Sequence, residues 1–165
     1  NENNFISLAL QLSVLEHPKS SEIIREQELT ISNPDQLERF KWLLPAVSKD
    51  VKIRNSFMNS LFEKENREKE AWVQSGLSYF HHPLRQNNAI EFLPEILNKL
   101  EEVQLTGDIF FPKGWLASSI GNYSSKEAYE ILQQFLNQNP DFNPILRKKL
   151  YQTTDNLTRA QNIKK

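Results

Sequence analysis

Three histidines, one run of charge and one knot of aromatics are the residues of this chain whose types and spacing bear on chemistry. His81 and His82 are adjacent. Adjacent helical positions point about 100° apart, whereas a zinc site on a helix takes its ligands at i and i+4, so this pair cannot chelate one ion from one face. Pro83 follows, and the spacing predicts a helix end where a histidine complements the helix dipole; His17-Pro18 repeats the arrangement. Glu101 and Glu102 diverge on a helix and make a poor acid and base couple. The serines near His17 lack a third triad member and an oxyanion loop. These residues give no catalytic, cofactor-binding or metal-binding constellation.

The run from Glu63 to Glu70 sets Glu63 with Arg67 and Glu65 with Lys69 at i and i+4. Such pairs contribute about 0.2–0.5 kcal/mol each and describe a solvated helix surface, with Asn66 capping the next helix. From Asp108 to Trp115 the aromatics Phe110, Phe111 and Trp115 surround Pro112. They either plug the core beneath a loop or form an interdomain contact.

These residues sit in a chain of 165 residues, enough for a single domain (1–165) that buries roughly 70% of its unfolded surface. Lys+Arg 20 against Asp+Glu 21 provides no field for a phosphate backbone, so no nucleic-acid partner is expected. With Cys 0 there is neither a disulfide framework nor a thiolate metal site, and a cysteine-free chain is compatible with either bacterial cytoplasm or periplasm. Gly 4 excludes glycine-rich phosphate cradles. Mean hydropathy of −0.60, with no uncharged apolar run approaching about 18 residues, predicts no membrane span. The only methionine is Met58, in mid-chain, so the chain is expected to be a fragment of a longer one.

Apolar residues recur at helical spacing: Phe5, Leu8, Leu12 and Leu15; Ile53, Phe57 and Leu61; Leu93, Leu97 and Leu100. Asn33 before Pro34 and Asn143 before Pro144 suit N-caps, and Gly107 and Gly121 suit left-handed C-caps. The pattern predicts an all-α fold of about nine helices, stacked as antiparallel pairs in an αα-superhelix of HEAT or armadillo type. Pro45 and Pro94 each follow a leucine inside an apolar run, as in two-helix repeats, and belong in or beside helices. The stretch from Leu44-Pro45 through Asp50 to Arg54 resembles the HEAT pattern, in which an aspartate caps the second helix and an arginine on that helix pairs with the stack.

Two long phrases, NREKEAWVQSGLSYFHHPLR from Asn66 and FLPEILNKLEEVQLTGDIFFPKGWLASSIGNY from Phe92, resemble the C-terminal helical domain of bacterial M1-family zinc aminopeptidases; RFKWLLPAVSKDVKIRNSF from Arg39 fits the same domain. The resemblance covers roughly residues 35 to 160. It implies a HEAT-like superhelix that closes over a catalytic domain of the same parent chain and narrows the way to its active site. The family's HExxH motif, its downstream glutamate and its glycine-containing substrate loop are not in this sequence, so zinc and catalysis are implied for the parent only. Peptide substrates would be transient partners. The alternative is a free-standing adaptor that binds a protein on its concave face.

On the helix after Asp50, placing Ile53, Phe57 and Leu61 in the core leaves Lys52, Asn55 and Asn59 on a separate, lightly charged face. That face suits a wet substrate chamber. It is equally what an ordinary exposed helix presents.

Overall fold

The computed structural model describes residues 2–163, and every regular element among them is helical. Twelve α-helical segments follow one another: α1 (Glu2–Val14), α2 (Ser20–Thr30), α3 (Pro34–Val47), α4 (Val51–Ser60), α5 (Glu70–Phe80), α6 (Gln86–Ala89), α7 (Leu93–Asn98), α8 (Leu100–Thr106), α9 (Phe111–Ser118), α10 (Lys126–Gln138), α11 (Pro144–Thr153) and α12 (Asp155–Ile163). Short 3₁₀ turns stand at Lys64–Arg67, Pro83–Arg85, Ile90–Phe92 and Ile120–Asn122. The expected nine become twelve largely because continuous-looking stretches are broken at single residues, Lys99 between α7 and α8 and Thr154 between α11 and α12. The buried Thr154 hydroxyl donates back to Leu150 O at 2.9 Å, a local bond that competes with helix continuation.

The starts of the helices follow the expected chemistry. Asn33 Oδ1 accepts from Asp35 N at 2.9 Å and Gln36 N at 3.1 Å, with Pro34 at the first helical position. Asn143 does the same for Ile145 and Leu146, Asp50 accepts from Lys52 N, and Ser125 from Ala128 N. Asn66 does not cap α5; its amide donates to Ser60 O at 2.9 Å and closes the end of α4 instead. The glycine C-caps also differ from expectation. Gly107 ends α8 in extended backbone and Gly121 lies inside a 3₁₀ turn, and among the described residues no glycine has positive φ.

The helices stack in sequence. α1 packs on α2 and α3, α3 on α4 and α5, α5 on α9, α9 on α11, while α7 packs on α10 and α10 on α12. This is the all-α stacked architecture the periodicity predicts. Pro45 lies inside α3, where its missing N–H leaves the Lys41 carbonyl without its helical donor, and Pro94 occupies the first turn of α7. Gly76 lets α4 approach α5 closely, since a Cβ there would meet Phe57 Cζ at 2.6 Å.

Burial divides into two clusters. A smaller one joins Ile6, Leu10 and Val14 of α1 to Phe40, Leu43 and Val47 of α3; the larger runs from Phe57 through Leu97 and Trp115 to Leu157. Trp42 and Tyr79 touch both. Burial sorts the apolar spacing of the sequence. Phe5 and Leu8 of α1, with Leu15 just past its end, are exposed, because the helix is apolar on two sides and docks through Ile6, Leu10 and Val14, where small Ala9 and Ser13 admit α3. Ser13 Oγ donates to Val47 O at 3.0 Å across that contact. Ile53 is likewise exposed, and Arg54 and Met58 join Phe57 and Leu61 on the buried face of α4.

Candidate functional site

The face of α4 that the sequence nominates is accessible. Lys52 and Asn59 are exposed and Asn55 is half-buried, all on the side away from Arg54 and Met58. Asn55 Nδ2 donates to Glu91 Oε1 at 3.3 Å, which ties α4 to the 3₁₀ turn before α7 and leaves Lys52 and Asn59 free of such a tie. On the flank of the same helix a groove of about 450 Å³ runs between Pro45 of α3 and Ile53, Ser56 and Ser60, with Lys52 at its rim. The displaced Ile53 is thus a groove wall, which gives this face an apolar strip that the sequence reading did not include.

The aromatic segment is divided between the two roles open to it. Phe111 and Trp115 are buried, ring centroids 6.1 Å apart edge to face, and Trp115 Nε1 donates to Ile96 O at 3.1 Å. Of the two roles open to them, Phe111 and Trp115 take the core one. Phe110 and Ile109 are about three-quarters exposed, at 76% and 74%. Glu70 Oε1 accepts from Asp108 N at 2.6 Å and Lys149 Nζ donates to Ile109 O at 3.0 Å, so the loop that displays Phe110 is held at both edges. Of the three aromatics of this segment, Phe110 is the exposed one, with Ile109 beside it.

The polar residues that organise the scaffold are arginines. Arg54 donates to Ser48 O at 2.7 Å and Lys49 O at 3.0 Å, just past the end of α3; burial lowers its pKa, opposed by Glu16 and Asp50. Arg67 donates to Leu61 O and Phe62 O, both at 2.9 Å, at the end of α4, while its other nitrogen pairs with Glu102 and its guanidinium stands 6.0 Å over the Trp115 ring. Arg85 donates to Ala46 O, Val47 O and Ser13 O, closing the ends of α3 and α1 together. Burial, and to a lesser degree the nearby Arg54, pushes Arg85 down to about 10. In each case a fixed cation meets carbonyls that a helix end leaves without donors and sits at the negative end of the dipole. Asp50 caps α4 as the HEAT-like stretch predicts, whereas the buried Arg54 bonds to the carbonyls of the linker before its own helix instead of pairing with the stack.

Arg67 corrects the reading of the charge run. It is buried and pairs with Glu102, and Lys69 pairs with Glu38, so neither makes the expected i,i+4 pair. Hydrogen bonds from Lys99 and Arg67 hold the Glu102 carboxyl below its usual range.

His81 and His82 also part ways. His82 Nδ1 accepts from Leu84 N at 3.3 Å and starts the next turn. His81 is fully buried, with Nδ1 2.8 Å from the Tyr123 hydroxyl; burial pushes it down to about 3 and raises Tyr123. A histidine held neutral cannot complement a helix dipole, so the dipole reading fails for His81 and a core hydrogen bond replaces it. Among the described residues no group of three His, Asp or Glu side chains is placed to hold a metal. Spacing alone did not disclose Tyr123, Arg67 or Arg85, because each meets partners far along the chain. No family model, curated protein or solved structure matches this chain.

Proposed function

We propose that this chain is a non-catalytic C-terminal helical domain of an M1-type zinc aminopeptidase, closing over the catalytic part of a parent hydrolase and gating the access of peptides. One observation carries the proposal. The polar residues of the two phrases that resemble that domain are the ones that hold the phrases together: Arg67 with Glu102, Glu70 with the Asp108 amide, and His81 with Tyr123. These contacts pack the two phrases as one unit, which is what a single helical domain containing both requires. In the parent, zinc would act as a Lewis acid on the scissile carbonyl, on residues outside this chain. The part played by this chain is to wall the chamber, with Lys52 and Asn59 of α4 toward the substrate and Asn55 fixing the wall through Glu91.

The test has two arms. The reading frame upstream of Asn1 should encode HExxH, and its absence overturns the proposal. In the parent, Lys52→Glu with Asn59→Asp should change kcat/KM for peptides more than for single-residue anilides, because only peptides extend from the metal to the wall. Asn55→Asp belongs in a separate variant, since it sets a second carboxylate beside Glu91. The second reading, a free-standing HEAT-like adaptor, is favoured by the apolar groove at Ile53, and equal effects on both substrate sizes would support it.

A further inference from the structure

Where α7 and α8 run beside α10, a cleft of about 370 Å³ opens on the surface away from α4, within the range typical of small-ligand sites. Phe135 and Phe142 form its floor, edge to face with centroids 5.0 Å apart, Phe135 buried and Phe142 half-buried. The exposed side chains of Asn98, Glu101, Gln138 and Asp141 form its rim. Among the described residues none of these four side chains has a hydrogen-bond or ion-pair partner. The contrast with the next residue is sharp in charge terms: Glu102 is engaged by both Lys99 and Arg67, while Glu101 faces the cleft with no cation of its own. Arg147 is the cation nearest the closing loop, and it donates to Asn139 O at 2.6 Å and Pro140 O at 2.8 Å. It therefore fixes the loop that carries Asp141.

The geometry points to this cleft as a binding site for an arginine side chain within a polypeptide segment. A guanidinium is the group that both halves of the lining accept: its flat face stacks on the half-buried Phe142 ring, and its fork of donors meets the carboxylates of Glu101 and Asp141. The amides of Asn98 and Gln138 each offer a donor and an acceptor, which is what the peptide unit beside that side chain requires. Charge complementarity sets the occupant: two carboxylates without cations select a cationic segment and repel an acidic one. This site lies outside the gating role and does not depend on it.

Titrating the ¹⁵N-labelled chain with Ac-Ala-Arg-Ala-NH₂, and with the isosteric citrulline peptide, tests it. The arginine peptide should shift the side-chain amide resonances of Asn98 and Gln138, and Glu101→Gln with Asp141→Asn should weaken it about fivefold or more, as expected for two partly exposed ion contacts. Both substituted residues are exposed, and an unchanged spectrum elsewhere shows the fold intact. Asn98→Ala is the second variant and should weaken the arginine peptide without restoring the citrulline one. Shifts confined to other faces, equal binding of both peptides, or undiminished binding to the charge-neutralised variant would each overturn the assignment.

Discussion

The N-terminal layer of α1–α3 and the body that follows it are both helical stacks, but they are closed by different means. The buried residues of the layer's cluster are aliphatic apart from Phe40, and beyond the Ser13 Oγ bond to Val47 O the carbonyls that end α1 and α3 find side-chain donors on Arg85, a residue of the body. The body closes on itself: Trp115, Phe111 and Tyr123 fill it, and Arg67 satisfies the end of α4 from the very next turn. The difference teaches that apolar burial alone leaves helix ends open, and that a unit whose own buried donor, Ser13 Oγ, reaches only Val47 O draws the rest from its neighbour. The layer is therefore the dependent half.

The largest expected effect tests the body. Trp115→Ala removes a fully buried ring together with its bond to Ile96 O, and should cost about 3–5 kcal/mol in urea unfolding. If the layer depends on the body, both halves should unfold in one transition at lower urea; a surviving transition from α1–α3 would break the comparison.

A smaller loss is expected at the seam. Arg85→Ala takes the side-chain donor from Ala46 O and one of two donors from each of Ser13 O and Val47 O, which keep Glu16 N and Ser13 Oγ, and should cost about 3 kcal/mol. Its distribution matters more than its size. Amide exchange should accelerate in α1 and α3 while α5 and α9 stay protected, and uniform acceleration would show that the two halves are not separable.

The effect that is smallest per step of its measurement sharpens the contrast through pH. His81 belongs to the body, and its ring is held neutral down to about 3 by burial, against an ordinary value near 6.5. Between those values the unfolded chain takes up a proton that the folded chain refuses, so stability contributed by the neutral ring is complete above the ordinary value and is lost as pH falls toward the folded one. His81→Gln keeps a partner for the Tyr123 hydroxyl and does not titrate. Its stability should fall less steeply between pH 6.5 and pH 3 than that of the parent chain, by up to about 1.4 kcal/mol per pH unit. Equal slopes would show that the ring is protonated in the folded protein.

Much of the fold was legible along the chain because its signals are local. A cap such as Asn33 or Asn143 acts on amides two and three residues ahead, and such spacings are visible in a single sequence. What was not legible depends on distance. α1 carries two apolar stripes, and only the position of α3 decides that Ile6, Leu10 and Val14 are buried while Phe5 and Leu8 are not. Ile53 left the expected core for the same reason, since Arg54 took its place to reach the carbonyls of Ser48 and Lys49. Of the nominated face, Lys52, Asn55 and Asn59 are where the spacing put them, whereas the groove beside them needed Pro45 from another helix. Arg67 read as solvated because its carboxylate partner lies 35 positions away.

The Arg85 clamp also has a consequence in time. Its bond to Ser13 O spans 72 positions, so during synthesis the layer leaves the ribosome long before the residue that finishes it. From Val47, where the layer ends, to Arg85 is 38 positions, and at about 5–20 residues per second that interval is roughly 2–8 s, far longer than a helix or a hydrophobic cluster takes to form. Through that interval α1 and α3 can collapse against each other, but their last turns stay open to water and to chaperones. Vectorial translation therefore leaves the first layer made to be the last one locked.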